Sequence, residues 1–244
     1  MCILRNHKKL VVYMFKQLCR VISLTTLLIL GGCGGGSGGE AVIASIQTFN
    51  LQAAYTAYLS QSYTKSFNIS GTYSGVNVSG TGSITSGTLQ NGTFLGLPAL
   101  VKTNSITGTF NANGQSIPLG LSTQSYYDSN YNTKGISGGN FSVVTTLNAI
   151  PTAAKVNDTG VWMILTNYPT SARSYSVGTS TITYAVNADS ASSVLLTFIT
   201  TEKSTSGSIL STSTEIYRVT STNVVTPISE SLLQGVSALT LTYQ

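Results

Sequence analysis

From residue 66 to residue 244, apolar and polar side chains alternate along most of the chain. Successive side chains of a β-strand point to opposite faces of the sheet, so a period of two predicts half-buried strands. The alternation is clearest in nine runs: 67–73, 76–84, 106–110, 117–121, 141–147, 182–186, 194–200, 215–219 and 239–243. The continuous apolar run 161–165 (VWMIL) predicts a fully buried strand, and residues 181–219 predict a three-stranded meander.

Several of the predicted strands contain glycines, among them Gly71, Gly80, Gly82 and Gly108. Glycine inside a strand indicates a bend, a bulge or a close approach of two backbones. We therefore predict a mainly β protein with an antiparallel curved sheet, as a half-barrel first and a sandwich second. Pro118 indicates an edge position, and residues 122–140 predict the longest loop.

One segment, residues 43–60, has the spacing of an amphipathic helix. Leu51, Ala54, Tyr55, Tyr58 and Leu59 recur at helical intervals. We expect this N-terminal helix to pack its apolar face on the sheet. A helix lying on a membrane is the alternative, but the segment lacks the Lys and Arg face that is typical of such helices.

The first 32 residues have the organisation of a secretory signal. Five basic residues precede an apolar core, Val21–Leu30, and two small residues, Gly31 and Gly32, follow it. The basic residues are Arg5, Lys8, Lys9, Lys16 and Arg20. The core is shorter than the roughly 20 residues that span a bilayer, so a cleaved signal is favoured over a membrane anchor.

The sequence Leu30-Gly31-Gly32-Cys33 resembles the lipobox of bacterial lipoproteins. The resemblance implies cleavage between Gly32 and Cys33 by the lipoprotein signal peptidase, with palmitate-type acyl chains on Cys33 that anchor the protein in a membrane. Gly34 stands where an aspartate retains enterobacterial relatives at the inner membrane. The resemblance therefore implies the outer membrane, with the domain on its periplasmic face or at the cell surface.

These features divide the chain into a signal peptide (1–32), a lipidated Gly/Ser tether (33–42) and a single mainly β domain (43–244). Met14 begins a complete signal of ordinary length and is a possible true start. The seven basic and seven acidic residues after Gly32 leave the mature chain formally neutral. Because its Lys and Arg are scattered singly, we expect no nucleic acid partner.

Residues 34–244 contain neither histidine nor cysteine. The imidazole-based nucleophile arrangements and the usual zinc sites are therefore absent. Asp158-Thr159-Gly160 matches the core triplet of aspartic proteases but has no second copy, and Ser62-Tyr63-Thr64-Lys65 lacks the Lys-Thr-Gly partner of penicillin-recognising enzymes. We predict that the protein is not an enzyme, with no catalytic, cofactor-binding or metal-binding residues.

Two functional classes follow from this reading. The first is a non-enzymatic outer-membrane lipoprotein that binds an envelope protein or glycan, or has a structural role. The second is a carrier or binder of an apolar or lipid ligand in the cavity of a curved sheet. A carrier of that kind needs a pocket of roughly 300 Å³ or more.

Overall fold

The computed structural model describes residues 45–244, which form one helix and thirteen strands. The elements are α1 (Leu51–Ser60), β1 (Tyr63–Tyr73), β2 (Val76–Ser86), β3 (Gln90–Phe94), β4 (Leu97–Ala112), β5 (Gln115–Tyr127), β6 (Thr133–Ser137), β7 (Phe141–Leu147), β8 (Thr159–Tyr168), β9 (Gly178–Ser190), β10 (Ser193–Ser204), β11 (Ile209–Thr220), β12 (Val225–Gln234) and β13 (Ser237–Tyr243). The prediction of a mainly β, antiparallel fold with one helix is confirmed. The predicted signal, Gly32, Cys33 and the tether lie outside the described residues.

The strands form a single sheet that closes on itself. Its order is β2-β1-β13-β12-β11-β10-β9-β8-β7-β6-β5-β4-β3, and β2 also pairs with β4. That pairing runs from Val78 opposite Ala112 to Ser86 opposite Asn104. Twelve of the described strands therefore form a closed ring, which is more complete than the expected half-barrel and differs from the two sheets of a sandwich.

Inward-facing apolar side chains fill one part of this ring. The largest cluster comes from β1, β2, β4, β5, β12 and β13, with Phe67, Ile106, Phe110, Leu239 and Leu241 almost fully buried. These residues follow the alternation in the sequence, because every second side chain faces the interior.

Close approach of backbones explains the strand glycines. A Cβ atom on Gly80 would lie 2.3 Å from the carbonyl oxygen of Thr109 on β4, and one on Gly108 would lie 2.4 Å from that of Thr81 on β2. No side chain fits at those distances. The predicted close approach is thus confirmed at the β2–β4 pairing, which closes the ring.

Strand β3 lies outside the ring and pairs only with the first part of β4. Phe94 at its end stacks on Phe141, with ring centroids 5.3 Å apart, and also contacts Tyr126. A Cβ on Gly135 would lie 2.3 Å from the ring of Phe94, so this glycine makes room for the aromatic ring on the outer wall.

The helix begins eight residues later than predicted. Phe49 forms a β-bridge with Ala154, with N–O distances of 2.8 and 2.9 Å, which excludes helical backbone there. The side chain of Asn50 then accepts a hydrogen bond from the Ala53 N–H at 2.9 Å and caps the helix. None of the helices in the described part is long and apolar enough to cross a membrane.

Two further local predictions need correction. The expected loop 122–140 is largely strand, because β5 extends to Tyr127 and β6 begins at Thr133. The VWMIL strand is only partly buried: Val161 is 41% exposed, and the register shifts between it and Met163. Strands β3, β6 and β12 were not predicted. The edge expected at Pro118 is confirmed locally, since β6 pairs only with residues 124–127 of β5.

Candidate ligand-binding cavity

Helix α1 extends across the interior of the closed sheet and contacts walls that face each other. Tyr55 meets Trp162 of β8 edge-on, with ring centroids 5.0 Å apart. Tyr58 meets Tyr217 of β11 at 5.7 Å. At the end of the helix, the Lys102 ammonium of β4 donates hydrogen bonds to the carbonyl oxygens of Leu59, at 2.8 Å, and Gln61, at 2.5 Å. Side chains of several strands thereby hold the helix in place.

A cavity of about 70 Å³ lies between the helix and the sheet and is partly open to solvent. One water needs roughly 10–15 Å³ on this measure, so the space accommodates about five to seven water-sized groups. Most of its wall is apolar or aromatic. The wall includes Leu51, Ala54, Tyr55, Tyr58, Leu59, Tyr63, Tyr127, Ile150, Pro151, Trp162, Tyr184, Leu196, Phe198, Tyr217 and Val219.

One side of the cavity is polar, and the strand register explains why its members meet. Ser86 on β2 lies opposite Asn104 on β4, and Lys102 on β4 lies opposite Ser125 on β5. All four side chains share the inward face and line the cavity. Lys102 is 2% exposed and Asn104 is 9% exposed. The cavity therefore has a polar end formed by adjacent strands and an apolar body.

Burial controls the charge of the ionisable groups in this wall. Burial lowers the pKa of Lys102 to about 8, so most of this amine is protonated at neutral pH. Burial raises the pKa of Tyr127 to about 12 and the pKa of Tyr55 and Tyr58 well above 10.0. The tyrosines therefore stay neutral, and the ammonium of Lys102 is the one charged group within the lining described above.

Two glutamates lie beside this cavity, inside the ring. Glu215 on β11 is directly opposite Glu230 on β12, and the two side chains are 3% and 1% exposed. The hydroxyl of Tyr217 donates to Glu215 at 2.5 Å, and that of Tyr243 donates to Glu230 at 3.4 Å. Burial and then the charge of Glu215 hold the pKa of Glu230 well above its ordinary value of 4.5. The pair therefore keeps a proton at pH values where a solvated glutamate has already lost it.

Reasoning from the sequence missed the polar residues of this region. Gly32 and Cys33, the predicted cleavage and lipid sites, are not among the described residues. The sequence did contain a signal for the polar residues of the cavity. Lys102 and Asn104 lie an even number of residues from Ile106, and Glu230 lies an even number from Leu232, so each is expected on the same face of its strand as an apolar residue. Polar side chains on the apolar face of a strand indicate a buried polar site. Within residues 45–244, no three side chains of the metal-ligating types come together.

No protein-family model, curated protein or solved structure matches the chain.

Proposed function

We propose that the protein is a non-enzymatic lipoprotein, anchored at the outer membrane through Cys33, that binds a small and mainly apolar ligand between helix α1 and the closed sheet. The observation that supports binding is the partly open aromatic cavity with a single polar end. Ligand sites in proteins are typically concave, mostly apolar, and equipped with a few placed polar groups. The lack of histidine and cysteine after Cys33 supports a binding role over a catalytic one.

The volume bounds the size of the ligand. At about 70 Å³, the cavity is well below the roughly 300 Å³ that we set for a carrier of an apolar or lipid ligand, so the carrier alternative fails that criterion and the proposal is a binder of a smaller ligand. An acyl chain of a membrane lipid therefore does not fit while the helix is in place. A ligand of about five to seven non-hydrogen atoms does fit.

Native mass spectrometry of residues 41–244, secreted to the periplasm without the lipidated cysteine, tests ligand binding. We expect a bound mass of a small molecule that denaturation releases and organic extraction recovers. Trp162 lines the cavity, so its fluorescence should change when the extract is added back. A mass equal to that of the bare chain, together with unchanged fluorescence, would reject binding in this cavity.

The lipid anchor has an independent test. Labelling with radioactive palmitate should mark the protein, and Cys33→Ala should abolish both the label and the cleavage after Gly32. Cys19→Ala is the matched control, because Cys19 lies within the predicted signal and should leave labelling intact. Palmitate incorporation in the Cys33→Ala protein would refute the assignment.

A second binding function concerns the outer wall of the ring. A shallow groove of about 410 Å³ lies there, lined by Tyr126, Asn140, Phe141 and Pro169 among others. Tyr126 and Asn140 are half-buried and Phe141 is buried, so the groove offers partly covered aromatic and amide side chains of the kind that suit an envelope protein or glycan. Cross-linking in intact cells from a photoreactive residue at position 171, in the rim of the groove, should capture such a partner, and an absence of adducts would argue against it.

A further inference from the structure

Three polar groups at the end of the cavity, Ser86, Lys102 and Asn104, have unused hydrogen-bonding capacity. The Ser86 hydroxyl can both donate and accept, so Lys102 and Asn104 are the two that restrict the ligand. Lys102 has three ammonium hydrogens, and its two hydrogen bonds go to the carbonyls of Leu59 and Gln61. Asn104 is more than nine-tenths buried, and its Oδ1 atom accepts no hydrogen bond from any described residue. Leaving a buried acceptor unpaired destabilises a protein, so this atom indicates an absent donor.

The chemistry of these two groups restricts the ligand. The remaining hydrogen of Lys102 needs an acceptor, whereas Oδ1 of Asn104 needs a donor. A hydroxyl group provides both. A carboxylate provides only acceptors and would face the amide oxygen, and a hydrocarbon provides neither.

The rest of the cavity fits a compact apolar body. Trp162, Phe198 and Leu196 form part of the apolar wall, and the volume of about 70 Å³ limits the whole ligand to about five to seven non-hydrogen atoms, with phenol at the upper end. Aromatic walls of this kind make favourable edge-to-face and offset contacts with a ring.

We infer that the cavity selects a small neutral alcohol or phenol, whose hydroxyl group accepts a hydrogen bond from Lys102 and donates one to Asn104 while its apolar body lies against Trp162 and Phe198. This inference rests on the proposed function, because it specifies the ligand of the same cavity. It adds the head group, which the size and apolar character of the cavity do not determine.

The test is calorimetric titration of the mature chain from residue 33, kept in aqueous solution by Cys33→Ser, with four probes. Phenol, cyclohexanol and toluene have the same number of non-hydrogen atoms, and benzoate adds an anionic head. We expect phenol or cyclohexanol to bind at least fivefold to tenfold more tightly than toluene, because one neutral hydrogen bond already provides that factor and the hydroxyl makes two, one of them with an ammonium. The order of phenol and cyclohexanol tells whether the body is aromatic or aliphatic.

Asn104→Leu should remove the preference for the hydroxyl group, so that phenol and cyclohexanol lose affinity relative to toluene. Asn111→Leu is the matched control, because Asn111 is exposed on the outward face of the same strand and should leave the preference intact.

Equal affinities of phenol, cyclohexanol and toluene for the unmodified cavity would overturn the head-group inference while the proposed binding function stands. Tighter binding of benzoate would overturn it in favour of an anion site. Failure of all four probes to bind would overturn it as well, and native mass spectrometry would then show whether the cavity binds anything. These comparisons use the unmodified cavity, so they decide the matter even if Asn104→Leu does not fold.

Discussion

The buried glutamate pair predicts how the stability of the protein depends on pH. In the folded state, burial and then the neighbouring Glu215 raise the pKa of Glu230 well above 4.5. In the unfolded chain, the carboxyl is solvated and titrates near 4.5. Between these two values the folded state holds a proton that the unfolded state has lost, so the free energy of unfolding falls as the pH rises.

The magnitude follows from one proton. Each pH unit in this window costs about 1.4 kcal/mol, so two units cost roughly 3 kcal/mol. That is a substantial part of the roughly 5–15 kcal/mol by which domains are stable. No histidine lies in residues 45–244. Lys102, with a pKa of about 8, is still mostly protonated at pH 7.

Glu230→Gln should therefore reduce the dependence of the free energy of unfolding on pH. Glutamine has the shape of the protonated glutamate, is neutral at every pH, and can donate a hydrogen bond to Glu215. We expect the variant to equal the parent near pH 4.5 and to gain about 1.4 kcal/mol of stability over it for each further pH unit, up to the pKa of Glu230 in the folded state. Urea unfolding at half-unit steps from pH 5 to pH 8, followed by the fluorescence of the buried Trp162, measures this.

Asp128→Asn is the control for the loss of a carboxylate. Burial alone would raise the pKa of Asp128. Its hydrogen bonds with Asn132 and Asn130 lower the pKa by more than burial raises it, so the net pKa is below the ordinary value of 3.8. Its stabilisation is present above that value and is lost only in more acidic solution. Asp128→Asn should therefore be less stable than the parent by the same amount from pH 5 to pH 8, and its free energy of unfolding should change with pH as steeply as that of the parent. Equal slopes for the parent and Glu230→Gln would refute the reasoning.

Three further predictions concern the closure of the ring, the packing of β3 and the cap of helix α1. Gly80→Ala should destabilise the protein by several kcal/mol in urea unfolding, because its Cβ would lie 2.3 Å from the Thr109 carbonyl, whereas Gly120→Ala has nothing within 4 Å of its Cβ and should be nearly neutral. Phe94→Ala should speed hydrogen exchange of the β3 amides without changing the exchange of the inner strands, because this ring packs only on the outer wall. Asn50→Ala should cost about 1 kcal/mol through loss of the helix cap, and Asn50→Asp should restore it, as thermal unfolding would show.

The alternation in the sequence predicts the strands whose inward positions are mostly apolar. The meander of β9, β10 and β11 is confirmed, because Ile182, Val186, Val194 and Leu196 follow the period of two. Strand β12 escapes prediction because its inward side chains include Pro227 and Glu230, which interrupt the apolar pattern. The alternation of apolar and polar residues therefore predicts a strand whose buried face is apolar and misses a strand whose buried face carries polar residues.

Closure of the ring depends on contacts between distant residues, so no local pattern specifies it. The glycines of β2 and β4 indicate close backbone approach, but they do not indicate which strand approaches. Strand β3 and its connections separate β2 from β4 along the chain, and the pairing skips it. The packing of Phe94 over Gly135 is similarly non-local, since a glycine in β6 has no pattern that identifies the ring above it.

At the polar end of the cavity, polar residues occupy inward strand positions where apolar residues are expected, and this exception indicates a binding site. Lys102 and Asn104 share the inward parity of Ile106 and Phe110, yet burying a lysine and an amide costs free energy that leucine at either position would avoid. Lys102 recovers part of that cost by hydrogen bonding to the helix end. Asn104 recovers none through its Oδ1 atom among the described residues. A bound group that donates a hydrogen bond to Asn104 would offset this cost, which is why the head-group test centres on Asn104.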